Sequence, residues 1–219
     1  MRAPMLDSLR GLAVVWMVIF HTSYDMRMFN LVSWSFEDGF WFAFPRIIAF
    51  TFLYCVGASL NFTHRPNINW NALGKRSLKL GACALIVSLS TYFIFPTQWI
   101  YFGTLHCIFV GSILGALVVN TRKVALTLML AILTGQYILS YDIKWLSSII
   151  QKHSMDFIPI YPWFWAILLG ILTGPRLTTV GQTWAQSRPL HWLGKNSLMI
   201  YLLHQPIIYG LIWFISSVV

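Results

Sequence analysis

Charge is what this sequence has least of. Its 219 residues include six acidic and 15 basic side chains, 10% in all, against about 25% in soluble domains. That scarcity excludes a water-facing globular surface. No linker or low-complexity block breaks the chain either, so residues 1–219 read as a single domain with no soluble appendage. Cysteine is scarce too. Cys55, Cys83 and Cys107 are odd in number and sit in apolar runs, which excludes a disulfide framework and leaves them as small core residues. The N-terminal segment carries the acidic Asp7 where a signal peptide is basic, and no small-residue cleavage site follows its apolar run. The first helix is therefore expected to stay. A net charge of +9 does not point to nucleic acid, because the Lys and Arg residues cluster in loops between apolar segments, where membrane insertion reads them.

What the chain has instead is long apolar runs. Hydrophobic residues make up 58% of it, and the mean hydropathy is +0.68. At about 20 residues per crossing, the runs predict helices near 6–25, 43–63, 73–95, 100–120, 123–141, 160–175 and 196–217. The expected fold is all-α, a polytopic transmembrane bundle of about seven spans. Residues 143–154 are too short to span and are expected to form an interfacial helix, or a re-entrant loop. Prolines 45, 96, 159, 162 and 189 mark helix edges, while Pro206 falls inside the last run and is expected to kink it. With seven spans, eleven of the 15 basic residues fall on the N-terminal side. The positive-inside rule then places the N-terminus in the cytoplasm and the C-terminus outside. Tryptophans gather towards both interfaces, as aromatic belts do.

The polar residues inside these spans are the candidates for function. At about 100° per residue, Asp7, Arg10, His21 and Asp25 fall within roughly 60° of one another on the first helix. An ionisable group facing lipid is costly, so such a stripe pairs internally, lines a cavity or does chemistry. His21 lies eleven residues beyond Arg10, about 16 Å towards the outer face. Arg46 enters from the outer end of the second span, His106 sits below the outer end of the fourth, and His204 lies near the middle of the last. His21, Arg46 and His106 are thereby expected to lean into one cavity, with His204 below and Asp7 and Arg10 at the cytoplasmic mouth.

Each has a structural alternative. Asp7 and Arg10, at i and i+3, form a helix-end ion pair as readily as a ligand contact. Arg46 can snorkel to headgroups, Asp25 can cap the interface, and His106 and His204 can each hydrogen-bond a neighbouring helix. His64, His153 and His191 fall in loops and are given no role. His21 has the weakest structural alternative, since an imidazole in the outer half of a membrane helix needs a partner or substrate. No histidine pair has the i, i+3 or i+4 spacing of metal ligands, and Asp25 is expected at the wrong depth for His204, so no metal site is expected. Gly11, Gly57, Gly103, Gly170 and Gly174 mark close helix approach.

The segments LDSLRGLAVVWMVIFHTSYD, RIIAFTFLYCVGASL, YFGTLHCI, IPIYPWFWAILLGILTG and LGKNSLMIYLLHQPII, in this order over nearly the full length, resemble the heparan-α-glucosaminide N-acetyltransferase catalytic-domain family in its compact bacterial form. The Arg10-to-His21 spacing also resembles the wider group of integral-membrane acyltransferases that modify bacterial surface polysaccharides. The resemblance implies transfer of an acetyl group from cytoplasmic acetyl-CoA to an amine or hydroxyl of a glycan or amino sugar beyond the inner membrane. His21 would be the catalytic residue by position, and Arg10 would hold the donor's phosphates or set the helix. Seven Lys and Arg residues in 64–79 and 175–195 would favour an anionic donor at the inner mouth. A proton- or anion-coupled transporter would use the same polar core, and a structural membrane subunit would use it only to lock helices. The sequence leaves open the acceptor, the acyl chain and any homo-oligomer.

Overall fold

The computed structural model describes residues 4–37, 39–138, 154–177 and 187–218, and among them every regular element is helical. The helices are α1 (Pro4–Met28), α2 (Gly39–His64), α3 (Trp70–Ile94), α4 (Thr104–Val118), α5 (Arg122–Leu133), α6 (Ile160–Leu177), α7 (Arg188–Lys195) and α8 (Ser197–Val218), with a π-helical turn at Thr134–Ile138 after α5. Among the described residues, α1, α2, α3 and α8 are long and apolar enough to cross a membrane. Helix α4, at 15 residues, rises about 22 Å, less than the roughly 30 Å of a hydrocarbon core. The expected interfacial helix at 143–154 and the end of the expected 123–141 span lie outside the described residues.

Helix ends follow local chemistry. Asn69 accepts the Ala72 N–H at 3.0 Å and starts α3, and Pro96 follows its end. Helix α4 is capped twice. The Asp156 carboxylate accepts the Thr104 N–H at 2.7 Å and the Thr104 hydroxyl at 3.2 Å, and the His106 ring accepts the Gly103 N–H at 3.2 Å. A carboxylate at a helix N-terminus meets both unpaired N–H groups and the positive end of the dipole. Pro45, expected at an edge, lies inside α2. Residues 188–195, expected as a loop, form α7 with Pro189 in its first turn, a position where proline costs no hydrogen bond.

The chain divides into two compact units, Leu53–Leu177 and Arg2–Phe52 with Thr178–Val219, the division falling within α2. In the first, α2 and α6 meet backbone to backbone. A Cβ on Gly57 would overlap the Ile167 carbonyl, and one on Gly170 the Tyr54 carbonyl. Asn61 Nδ2 donates to the Ile171 carbonyl at 3.1 Å, and the Tyr54 and Thr173 hydroxyls meet at 2.8 Å. With little hydrophobic drive between helices in lipid, this close approach and these bonds are what hold them. Cys55 and Cys107 are fully buried here and form no disulfide among the described residues.

In the second unit, α1 is flanked by α7 and α8. Gly11 faces the Leu190 carbonyl and Gly194 faces the Asp7 carbonyl, with no room for a Cβ at either, so α7 runs antiparallel to α1. Helix α8 runs parallel to it. His21 meets His204, Asp25 meets Gln205, and Phe29 meets Tyr209 with ring centres 5.3 Å apart.

Gly57→Ala is expected to lower the melting temperature of the detergent-solubilised protein, costing about 1–3 kcal/mol as an overpacked site. Gly74, where a Cβ meets nothing within 4 Å, is the control. Gly74→Ala is expected to leave stability unchanged or to raise it by about 0.5–1 kcal/mol, and equal losses at both positions would contradict the close-approach account.

Candidate active site

The α1–α8 contact gathers four polar side chains, His21 and Asp25 from α1 and His204 and Gln205 from α8. The His21 and His204 rings stand 4.8 Å apart, centre to centre, inclined at 66°. His204 is buried at 8% exposure, and its Nδ1 lies 2.7 Å from the Tyr201 carbonyl oxygen. A carbonyl only accepts, so Nδ1 carries the proton and the neutral ring keeps its lone pair on Nε2. That Nε2 is itself buried and has no hydrogen-bond partner. His21 is half-buried, with Phe20 edge-on at 5.5 Å, and neither of its ring nitrogens has a hydrogen-bond partner among the described residues.

One turn beyond His21, Asp25 is 1% exposed. Its two carboxylate oxygens accept from the Gln205 amide nitrogen at 3.0 and 3.1 Å. The Gln205 carbonyl oxygen, Oε1, is buried without a partner. Two acceptors, His204 Nε2 and Gln205 Oε1, thus lie on adjacent residues of α8 with no donor among the described residues. Asp25 is neither an interfacial cap nor at the wrong depth for His204, because it bonds the residue that follows. The parallel course of α8 brings the two levels together. Gln205 carries no charge, and in the segment LGKNSLMIYLLHQPII the neighbouring His204 is the residue that reads as a candidate.

Near the start of α1, Arg10 Nη1 and Asp7 Oδ1 form an ion pair at 3.1 Å. His191 Nδ1 on α7 stands 3.8 Å from Asp7 Oδ2, too far for a hydrogen bond, and both atoms are buried and unsatisfied, as is the Ser8 hydroxyl. His191 had no expected role because it was read as a loop residue; helix α7 carries it to the polar end of α1.

The remaining candidates have partners of their own. Arg46 is exposed, donates to the Phe42 carbonyl on its own helix and holds its guanidinium carbon 3.6 Å from the centre of the Phe42 ring. His106 belongs to the other unit. Its Nδ1 accepts from Gly103, which leaves the proton on Nε2 to donate to the Ser88 hydroxyl at 3.0 Å, and Ser88 in turn donates to the Ile100 carbonyl at 2.7 Å. His64, the last residue of α2, accepts the Asn69 N–H at 3.2 Å and offers its carbonyl to Asn120 at 3.0 Å. Among the described residues no cluster of His, Cys, Asp and Glu is arranged to hold a metal ion.

A family model described as heparan-alpha-glucosaminide N-acetyltransferase, catalytic, matches residues 2–206. The chain belongs to this family. No curated protein and no solved structure matches it. The match takes in α1 entire and α8 through Pro206, so His21, Asp25, His204 and Gln205 all lie within the residues matched. Membership and the long apolar helices together make the chain an integral membrane protein of acetyltransferase type.

A buried carboxylate bonded to an amide alone is sensitive to loss of that amide. Gln205→Leu is expected to destabilise the detergent-solubilised protein by about 1–3 kcal/mol, the cost of leaving a buried polar group unpaired. Adding Asp25→Asn to it removes the stranded charge, so the double variant should lose less than the sum of the two single changes. Strict additivity in a thermal or denaturant series would show that the two side chains do not interact.

Proposed function

We propose that this protein is an acetyltransferase of a bacterial inner membrane, moving an acetyl group from cytoplasmic acetyl-CoA to an amine or hydroxyl of a glycan on the other side. The observation that carries the reading is the pair of imidazoles on α1 and α8, one pinned by a backbone carbonyl so that its second nitrogen is an unoccupied base. The parallel course of α1 and α8 supports termini on opposite sides of the membrane. An odd number of crossings, seven as the apolar runs count them, produces that arrangement. The excess of Lys and Arg on the N-terminal side then supports a cytoplasmic N-terminus.

Acetyl-CoA, when bound, supplies a thioester carbonyl as electrophile and a thiolate as leaving group. The chain's own residues handle position and the proton. His21 meets the acceptor and takes the proton of its amine or hydroxyl, or alternatively carries the acetyl group in passing; both are within the reach of imidazole chemistry. His204 keeps an unprotonated nitrogen beside it and shares the proton load. Its own N–H is tied to Tyr201, so the ring cannot turn away. Gln205 and Asp25 hold α8 at the register that sets the two rings face to edge. At the inner end the donors Arg10, Ser8 and His191 fit phosphate oxygens, and Arg is well suited to a diphosphate. Asp7, an acceptor, does not fit an anion and serves to hold Arg10 in place. Arg46 braces its own helix through Phe42, and His106 ties α4 to Ser88 of α3 within the other unit.

Purified protein incubated with radiolabelled acetyl-CoA and a series of amino sugars and envelope glycans tests this reading. His21→Ala is expected to cut label transfer by about 10²–10⁴, the usual contribution of a general base, and His204→Gln to cut it less. Arg10→Ala should act mainly by raising KM for acetyl-CoA. Equal transfer by wild type and His21→Ala would overturn the assignment, and a protein that binds no acetyl-CoA but moves a small anion or sugar across vesicles would be a transporter.

A further inference from the structure

Beyond the last turn of α1 the chain folds back on itself and leaves an open cavity of about 520 Å³, lined by Tyr24, Arg27, Asn30, Trp34, Phe36 and Glu37 among others. This volume is within the ~300–1,000 Å³ of small-ligand sites. We propose that the cavity is a saccharide subsite, which seats the sugar unit next to the one that His21 serves; the inference rests on the acetyltransferase reading above.

The lining matches the two-sided chemistry of a sugar. A pyranose presents C–H faces, which pack on aromatic rings, and hydroxyl edges, which need hydrogen-bond donors and acceptors. Tyr24, Trp34 and Phe36 provide the rings. Arg27, Asn30 and Glu37 provide a guanidinium, an amide and a carboxylate. The amino groups of Arg27 and the carboxylate of Glu37 have no protein partner among the described residues. Both side chains are exposed, so the hydroxyls of a sugar in the cavity can reach them, whereas a lipid chain offers them no hydrogen bond.

The cavity is also built rather than incidental. Arg27 Nε donates to the Trp34 carbonyl at 3.0 Å and ties the returning loop to α1. Trp34 stacks on Trp41 at 5.3 Å, tilted by 14°, and Phe36 meets Tyr24 edge-on at 5.5 Å. Asn30, with φ of 58°, takes the left-handed conformation that stops α1 and reverses the chain, one of the few roles in which asparagine is at ease there. Tyr24 follows His21 by three residues and Arg27 by six, about 5 and 9 Å along the helix axis. That axial distance is about the length of one sugar unit, as a subsite for the neighbouring sugar requires, and the preferred acceptor is then at least a disaccharide.

The test uses the full-length protein in detergent and labelled di- and monosaccharides of glucosamine and of glucose. Equilibrium dialysis without acetyl-CoA reads binding, and label transfer reads turnover. Wild type is expected to bind at least one disaccharide tenfold or more tightly than its monosaccharide. Trp34→Ala and Glu37→Gln should each remove about tenfold of that affinity, and Trp34→Phe, which keeps an aromatic face, should restore much of it while reporting that the loop still folds. Disaccharide binding that depends on Trp34 without any acetyl transfer would sustain the subsite and sink the acetyltransferase reading. Transfer that treats mono- and disaccharides alike and ignores both substitutions would overturn the subsite and leave that reading intact. Failure of every sugar to bind would overturn the subsite as well.

Discussion

The hydrogen bonds between the Asp25 carboxylate and the Gln205 amide fix how α8 lies along α1, and the histidine pair depends on that register. A carboxylate at 1% exposure has lost its water and must be met by N–H donors or by a cation. Among the described residues the Gln205 amide is the donor that meets it, bridging both oxygens. His204 precedes Gln205 on α8 and His21 lies one turn before Asp25 on α1, so the bond that satisfies the charge also sets ring against ring. A one-residue slip of α8 would rotate its side chains by about 100° and lose both contacts together.

The helices were legible because hydrocarbon thickness and the rise per residue leave little freedom in the length of an apolar run. The expected segments near 6–25, 43–63, 73–95 and 196–217 correspond to α1, α2, α3 and α8. Legibility failed where the decisive partner is distant in sequence. Asp156 caps α4 across 52 residues, and Gln205 answers Asp25 across 180. Neither partner stands out by periodicity, and in the segment that holds Gln205 the neighbouring His204 is the residue that reads as functional. The depth estimate that separated Asp25 from His204 assumed that residues stack by count from their own helix ends, whereas α8 begins only after the α7 turn and reaches the level of Asp25 within nine residues. The same helix α7 was missed because eight residues containing Pro189, Gly194 and three basic or titratable side chains read as a loop.

The histidines show how much burial and partner decide what one side chain can do. His106 has both ring nitrogens engaged, one by its own helix cap and one by Ser88. His64 has an amide of the following loop on its ring and an asparagine on its carbonyl. Both are spent on structure. His204 has one nitrogen bonded and one bare, and His21 has both ring nitrogens without a bonded partner among the described residues. Sequence gave the same letter in each case. An unfilled acceptor inside a membrane helix is a standing cost, and a neutral nitrogen kept in that condition beside a second imidazole has the properties of a base awaiting a donor.

The polar stripe of α1 is closed by the other end of the chain. Helix α7 covers Asp7 and Gly11 in the antiparallel sense, with Gly194 against the Asp7 carbonyl and Gly11 against the Leu190 carbonyl and no room for a Cβ at either glycine. Helix α8 then turns back and covers His21, Asp25 and Phe29 in the parallel sense. Eleven residues, about 16 Å of helix, separate Arg10 from His21, so the two C-terminal elements give one helix two differently furnished ends. The first is rich in donors and close-packed. The second is rich in acceptors and opens towards an aromatic loop. A helix with four ionisable groups on one face cannot leave that face to lipid without losing several kcal/mol. Burial of the stripe therefore needs α7 and α8 in place, and the geometry that makes α1 tolerable in a membrane is the same geometry that assembles the candidate site.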